Sequence, residues 1–162
     1  MQRYVPFSTV TREALAYACE ALGLALTDRH LQDLMGEYLR LSVYPDARKA
    51  LERLKTKKAI LSNGSPDMLE PLVEHSALRF DAVISVDELK TYKPAPRVYE
   101  LAVQKLRASK DRIGFVSSNC WDALGAKSYG FEVYWINRSK APLDRLGFKP
   151  DAVLTSLDEI LQ

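Results

Sequence analysis

The run Ile113-Gly114-Phe115-Val116-Ser117-Ser118-Asn119-Cys120-Trp121-Asp122 sets short polar side chains and a carboxylate directly after an apolar segment. An apolar run with no periodicity of its own, breaking into small polar residues and then a helical pattern, predicts a buried parallel strand. In open α/β sheets, ligands bind in the crevice at such strand ends. Ser117, Ser118 and Asn119 supply compact donors and acceptors there, and Asp122 can aim a carboxylate at the same point. The plain alternative is that Asn119 and Asp122 cap the helix that follows, a common role for both residue types.

Two further strand ends carry polar groups, Ser62-Asn63 after Leu61 and Lys93 in Thr91-Tyr92-Lys93-Pro94, with Tyr99 shortly behind. Each has a structural reading of its own. Ser62 and Asn63 suit a turn, Lys93 suits a solvated loop, and Tyr99 suits half-buried helix packing. Their coincidence at successive strand ends favours a site, because the crevice of an open parallel sheet draws its residues from separate strands.

The elements that must position these groups follow from periodicity. Thr9 or Thr11 starts a helix with Leu15, Ala18, Cys19 and Leu22 on one face, ending at Gly23. Thr27-Asp28 opens a second, with Leu31, Leu34, Met35, Tyr38 and Leu39 as an inward stripe, so residues 1–41 read as a helical hairpin. Val43-Tyr44-Pro45-Asp46 breaks the pattern and places a boundary near Leu41. From there to residue 162 helices and strands alternate. Helices are expected over 46–54, 66–77, 96–106 and 122–129, strands over 57–61, 81–86, 113–116, 132–136 and 152–154, a loop over 142–150 and a closing turn over 157–161. Such alternation implies a parallel sheet with crossover helices.

Composition narrows the function classes. A chain of 162 residues, 47% hydrophobic and 27% charged, can bury a real core. Its 23 basic and 21 acidic residues are interspersed, so neither a nucleic-acid footprint nor an anionic-membrane footprint follows. No stretch approaches eighteen uncharged apolar residues, and no secretory signal pattern is present, so neither membrane insertion nor secretion is expected. Cys19 and Cys120 lack metal-ligand spacing, which suits a reducing cytoplasm.

The succession Leu61-Ser62-Asn63-Gly64-Ser65, Tyr92-Lys93-Pro94 with Val98-Tyr99, Phe115 to Asp122, Gly125-Ala126-Lys127 and Trp135-Ile136-Asn137-Arg138 resembles the haloacid dehalogenase superfamily, most narrowly its (S)-2-haloacid dehalogenases. The resemblance implies an α/β fold, a Rossmann-like parallel sheet flanked by helices over 42–162, with residues 1–41 as part of a helical cap. It also implies hydrolytic removal of halide from a small 2-haloacid by a carboxylate nucleophile, with inversion at C2 to the (R)-2-hydroxy acid. In that family pattern Lys93 and Ser62 hold the nucleophile ionised, Ser117 and Asn119 position carboxylates and water, Asp122 helps activate water, and Tyr99 orders the site. Phe7, Asn63 and Trp121 match the pocket for substrate and departing halide. No cofactor is implied. Ser117, Ser118 and Asn119 stand where related phosphatases carry a further acid for Mg2+, so no metal is expected either.

The family's first motif, an apolar strand ending in the nucleophilic aspartate, is expected upstream of the cap, and the sequence read here starts inside the cap. Its threonine and a cap arginine belong to the same upstream stretch. Val86-Asp87-Glu88-Leu89-Lys90-Thr91 mimics the spacing of that motif, but Asp87 reads as a structural strand-end acid. The absent strand would be central, leaving its neighbours with open edges. Two other readings stay beside the dehalogenase: a non-catalytic α/β remnant binding a small carboxylate or a partner chain, and a metal-dependent phosphatase. Homodimerisation stays open.

Overall fold

The computed structural model describes residues 4–161. The chain opens with α1 (Phe7–Ala21) and α2 (Asp28–Tyr38). The first starts earlier than Thr9 because the Pro6 carbonyl begins the helical ladder, accepting from the Thr9 and Val10 amides. Thr11 turns its hydroxyl back to the Phe7 carbonyl at 2.9 Å instead of capping. Gly23, at φ +66°, lets the chain leave α1. Thr27 caps α2 by accepting from the His30 amide at 3.1 Å.

The stripes expected to pack inward from this hairpin are covered only in part. Leu15, Cys19, Leu31, Met35 and Leu39 are half-buried, whereas Leu22, Leu34 and Tyr38 are 73%, 48% and 43% exposed and neither helix has a fully buried residue. Two helices alone bury only the seam between them, and among the described residues no third layer lies on their apolar faces.

Beyond the hairpin come α3 (Pro45–Arg53), β1 (Ala59–Ser62), α4 (Pro66–Ser76), β2 (Ala82–Ser85), α5 (Pro96–Leu106), β3 (Gly114–Ser117), α6 (Cys120–Tyr129), β4 (Glu132–Ile136) and β5 (Ala152–Leu154). Proline opens α3, α4 and α5, where its missing N–H removes no helical bond and its fixed φ starts the turn. Short 3₁₀ turns follow β2, precede β3 and close the described chain.

All strand pairings are parallel, as the alternation requires. They form two sheets: β1 with β2, in register from Ala59 opposite Ala82 to Ser62 opposite Ser85, and β3-β4-β5. Both sheets share one core, in which Ile84 of β2 and Phe115, Val133 and Trp135 of β3 and β4 pack with Tyr99, Leu101 and Ala102 of α5 and with Ala123 and Ala126 of α6. Among the described residues β1 and β3 each keep one edge without a ladder partner.

The Asp46 carboxylate fastens α3 to the end of the chain, accepting from Arg138 Nη2 at 2.7 Å, Ser156 Oγ at 3.1 Å and the Leu157 amide at 2.8 Å. Burial pushes its pKa up, but these donors outweigh burial and hold it below the ordinary carboxylate value.

Gly125 is where packing reaches the strand ends. A Cβ there would stand 2.6 Å from both Pro94 Cβ and the Tyr99 hydroxyl, so α6 lies against the Lys93-Pro94 turn only because this residue has no side chain. Gly125→Ala is expected to destabilise the chain by about 1–3 kcal/mol in urea denaturation, as overpacking does. Gly36→Ala, whose Cβ meets only Arg40 Nη2 at 3.9 Å, should instead stabilise by up to about 1 kcal/mol. Equal effects would contradict this account of the contact.

Candidate active site

Lys93 enters the site from the segment between β2 and α5, its amide donating to Asn63 Oδ1 at 2.9 Å. This bond joins the end of β1 to the lysine loop, so Asn63 serves as a tie between two strand ends. The lysine side chain is 9% exposed and lies over the Phe115 ring, 5.0 Å from its centroid. Its Nζ stands 3.0 Å from Asp122 Oδ2.

Asp122 sits in the first turn of α6, its side chain 5% exposed. Three donors of different chemistry meet it: Lys93 Nζ and Ser117 Oγ each at 3.0 Å from Oδ2, and the Tyr99 hydroxyl at 3.0 Å from Oδ1. They arrive from the lysine loop, from the end of β3 and from α5. Capping therefore does not account for Asp122, since its carboxylate accepts from these three side chains and from no amide of the helix. Asn119 occupies the N-cap position but makes no side-chain cap bond; its amide donates to Ser117 Oγ at 3.2 Å and so fixes that hydroxyl.

The other candidates stand at different distances from this cluster. Ser62 Oγ accepts from the Gly64 amide at 3.0 Å, which shapes the turn after β1, and makes no hydrogen bond to Lys93 or Asp122. Trp121 is 39% exposed on the first turn of α6. Phe7, at the head of α1, meets the Tyr92 ring edge-on at 5.8 Å, one residue from Lys93. Ser118 contributes its carbonyl, which holds the Trp135 indole N–H at 3.1 Å. A hollow of about 440 Å³ between the 41–45 linker and His75 and Ser76 of α4 contains none of these residues.

Several participants carried no signal in the sequence reading. Phe115 read only as a core strand residue, yet its ring face receives the lysine. Tyr4 and Tyr92 gather around Asp87, an arrangement between residues more than eighty positions apart. Asp87, read as a strand-end acid, accepts from the Tyr4 hydroxyl and from Lys90 Nζ, the latter at 2.7 Å.

Electrostatics assigns states to the donors. Burial lowers the Lys93 pKa below the ordinary lysine value, while the charge of Asp122 and its hydrogen bond oppose that shift. Burial first, then Asp122, drives the Tyr99 pKa far up, so the phenol remains a proton-bearing donor throughout the working range. Burial also raises the pKa of Cys120, which leaves that thiol a poor nucleophile beside the site. Among the described residues no group of three or more His, Cys, Asp or Glu converges to hold a metal ion. The cluster is arranged to fix one carboxylate next to one ammonium and a small hydroxyl, a setting for handling an anion and a proton.

Lysine titration tests this arrangement directly. By ¹³Cε NMR, Lys93 is expected to titrate below the ordinary lysine value of 10.5, and lower still in Asp122→Asn, which removes what opposes burial. Because the folded pKa is the lower one, the unfolded chain binds the extra proton between the folded pKa and 10.5. The Lys93 contribution to stability should therefore rise with pH across that window, read as a growing difference in unfolding free energy between the chain and Lys93→Met. A Lys93 resonance titrating at or above 10.5 would contradict the burial.

Comparison with known proteins gives these residues their setting. The family model for haloacid dehalogenase-like hydrolases matches residues 3–130. The chain is 45% identical over 167 aligned residues to an (S)-2-haloacid dehalogenase of Pseudomonas sp. strain YL, covering all of this chain and 72% of that protein. It is 46% identical to (S)-2-haloacid dehalogenase H-109 of Pseudomonas putida, covering 99% of this chain and 74% of that one. Among solved structures, the L-2-haloacid dehalogenase of Xanthobacter autotrophicus with chloropropionic acid covalently bound superposes with a TM-score of 0.89 at 40% identity, over 98% of this chain and 75% of that one. An arrangement of Lys93, Tyr99, Ser117 and Asp122 at the ends of parallel strands, with relatives this similar along the whole chain, places it: the chain belongs to the haloacid dehalogenase-like hydrolases and, within them, to the (S)-2-haloacid dehalogenase family.

Proposed function

We propose that the chain serves hydrolytic dehalogenation of (S)-2-haloalkanoic acids to (R)-2-hydroxy acids. The observation that carries this reading is the convergence of Lys93, Tyr99 and Ser117 on the Asp122 carboxylate at the strand ends. A covalent adduct with chloropropionic acid is recorded for the Xanthobacter relative, which supports a covalent intermediate here. The open edges of β1 and β3 suit a parallel strand seated between them. Such a strand, ending in aspartate, would bring its carboxylate to the polar cluster that both neighbours serve.

In this scheme the nucleophilic carboxylate attacks C2 from the side opposite the halogen, a C–O bond forms, and halide leaves with the C–X electron pair. The product is an aspartyl ester with C2 inverted. Water then attacks the ester carbonyl, giving up its proton with help from Asp122, and the ester C–O bond breaks to release the hydroxy acid and restore the carboxylate. Lys93, with Ser62 beside the turn, favours the ionised nucleophile. Ser117 and Asn119 keep Asp122 and the water aligned, and Tyr99 holds Asp122 by its buried hydroxyl. Asn63, Trp121 and Phe7 form the pocket wall for substrate and halide. Residues 1–41 act as part of a cap and 42–162 as the core. Among the described residues no helix is long and apolar enough to cross a membrane. The two unpaired cysteines fit a cytoplasmic setting.

Chloride release from (S)-2-chloropropionate tests the proposal. We expect no release by residues 1–162 alone and steady release by a longer form carrying an in-frame apolar strand that ends Asp-x-x-x-Thr. In that form Lys93→Met and Asp122→Asn should each lower kcat by about 10²-fold or more. Release from the (R) enantiomer instead, or Mg2+-dependent hydrolysis of a phosphate ester with no halide release from either enantiomer, would overturn it.

A further inference from the structure

The helical hairpin buries no residue of its own, yet its beginning is bound to the core at a defined place. The Tyr92 hydroxyl donates to the Val5 carbonyl, and its ring lies 5.2 Å from that of Tyr4 and 5.8 Å from that of Phe7. The Tyr4 hydroxyl in turn donates to Asp87 Oδ1, while Lys90 Nζ binds Asp87 Oδ2 and stands 5.1 Å from the Tyr4 ring centroid. Ser85 Oγ accepts from the Asp87 amide at 3.2 Å and donates to the Gly64 carbonyl at 2.7 Å. The clasp is thus bonded through to the turn after β1.

Tyr92 is covalently joined to Lys93, and Val5 lies two residues before Phe7, the first residue of α1. One side chain therefore couples the catalytic lysine loop to the candidate pocket wall. We propose that Tyr92 is a positioning residue: by fastening Val5 and carrying Phe7 it fixes the α1–α2 hairpin relative to Lys93 and so sets the width of the substrate pocket. The proposal rests, for its consequence on substrate, on the dehalogenase reading and on Phe7 bordering the pocket. The clasp itself rests on geometry alone. Burial raises the pKa of both phenols, with Asp87 adding to the rise at Tyr4, so both stay hydrogen-bond donors at working pH.

Two measurements judge the clasp separately from the function. In residues 1–162, amide hydrogen exchange at the head of α1, read at Thr9 and Val10, should quicken more than tenfold in Tyr92→Phe and further in Tyr92→Ala. Exchange at Leu101 and Ala102 of α5 should stay unchanged, which shows that the core is still folded. Asp87→Asn, which keeps shape and weakens the hold on Tyr4, should give a smaller increase. In the dehalogenating form, Tyr92→Phe should raise KM for (S)-2-chloropropionate about fivefold with kcat within twofold, and Tyr92→Ala should raise KM further. Unchanged α1 exchange in Tyr92→Ala overturns the clasp, and a fall in kcat at constant KM overturns the positioning role. If exchange responds but no form releases halide, the clasp is upheld and the dehalogenase reading is what fails.

Discussion

The buried pair of Lys93 and Asp122 is the interaction on which the rest of the site depends. Removing an ammonium and a carboxylate from water costs several kcal/mol for each ion, and mutual attraction offsets this only with good geometry and further hydrogen bonds. Here the geometry is supplied from several places at once. Ser117 and Tyr99 occupy the carboxylate, the Phe115 ring receives the ammonium, and Asn63 anchors the lysine main chain. A pair of this kind is weak as a source of stability, because an apolar pair of similar volume would serve the core as well or better. It lies at strand ends, the place where open parallel sheets bind ligands.

That pair also accounts for the placement of elements that look unrelated. Tyr99 must reach Asp122 from α5 while its ring packs edge-on against Phe115 at 5.7 Å and Phe131 at 6.0 Å. The aromatic core beneath the site therefore fixes the direction of the phenol. Gly125, one turn beyond Asp122, lets α6 approach close enough for the bond to form. Within each sheet the parallel pairing sends the strand ends the same way, and the Lys93–Asp122 bond brings the two sets of ends together. Local propensity, packing and polar satisfaction all favour this one arrangement, which is how a sequence specifies a single structure.

Much of this was legible in the sequence because it is local. The non-periodic apolar run before Ser117 marked a buried parallel strand, the alternation of strands and helices marked the others, and Pro66 and Pro96 stood at expected helix starts. Lys93, Tyr99, Ser117 and Asp122 were named from strand ends and motif resemblance, and they are the residues the fold bonds together. The misses are non-local or depend on what lies beside an element. Periodicity showed that α2 has an apolar stripe, but a stripe does not say whether anything covers it. Asp87 was read from its own neighbours, whereas its partner Tyr4 lies 83 positions away. Thr9 and Thr11 were reasonable caps by residue type, and Pro6 displaced them by starting the ladder from its own carbonyl.

The division into two sheets bears on how the core is held together. A parallel strand buried on both faces is stable when ladders flank it and helices cover it. β1 and β3 each satisfy one ladder and leave the other edge bare, so the described core is continuous through side chains and discontinuous through backbone hydrogen bonds. The side chains that bridge the interruption are Asn63, Lys93 and Asp122, the same ones that make the site. One set of contacts therefore does two things at once: it joins the two sheets and it fixes the Asp122 carboxylate beside the Lys93 ammonium.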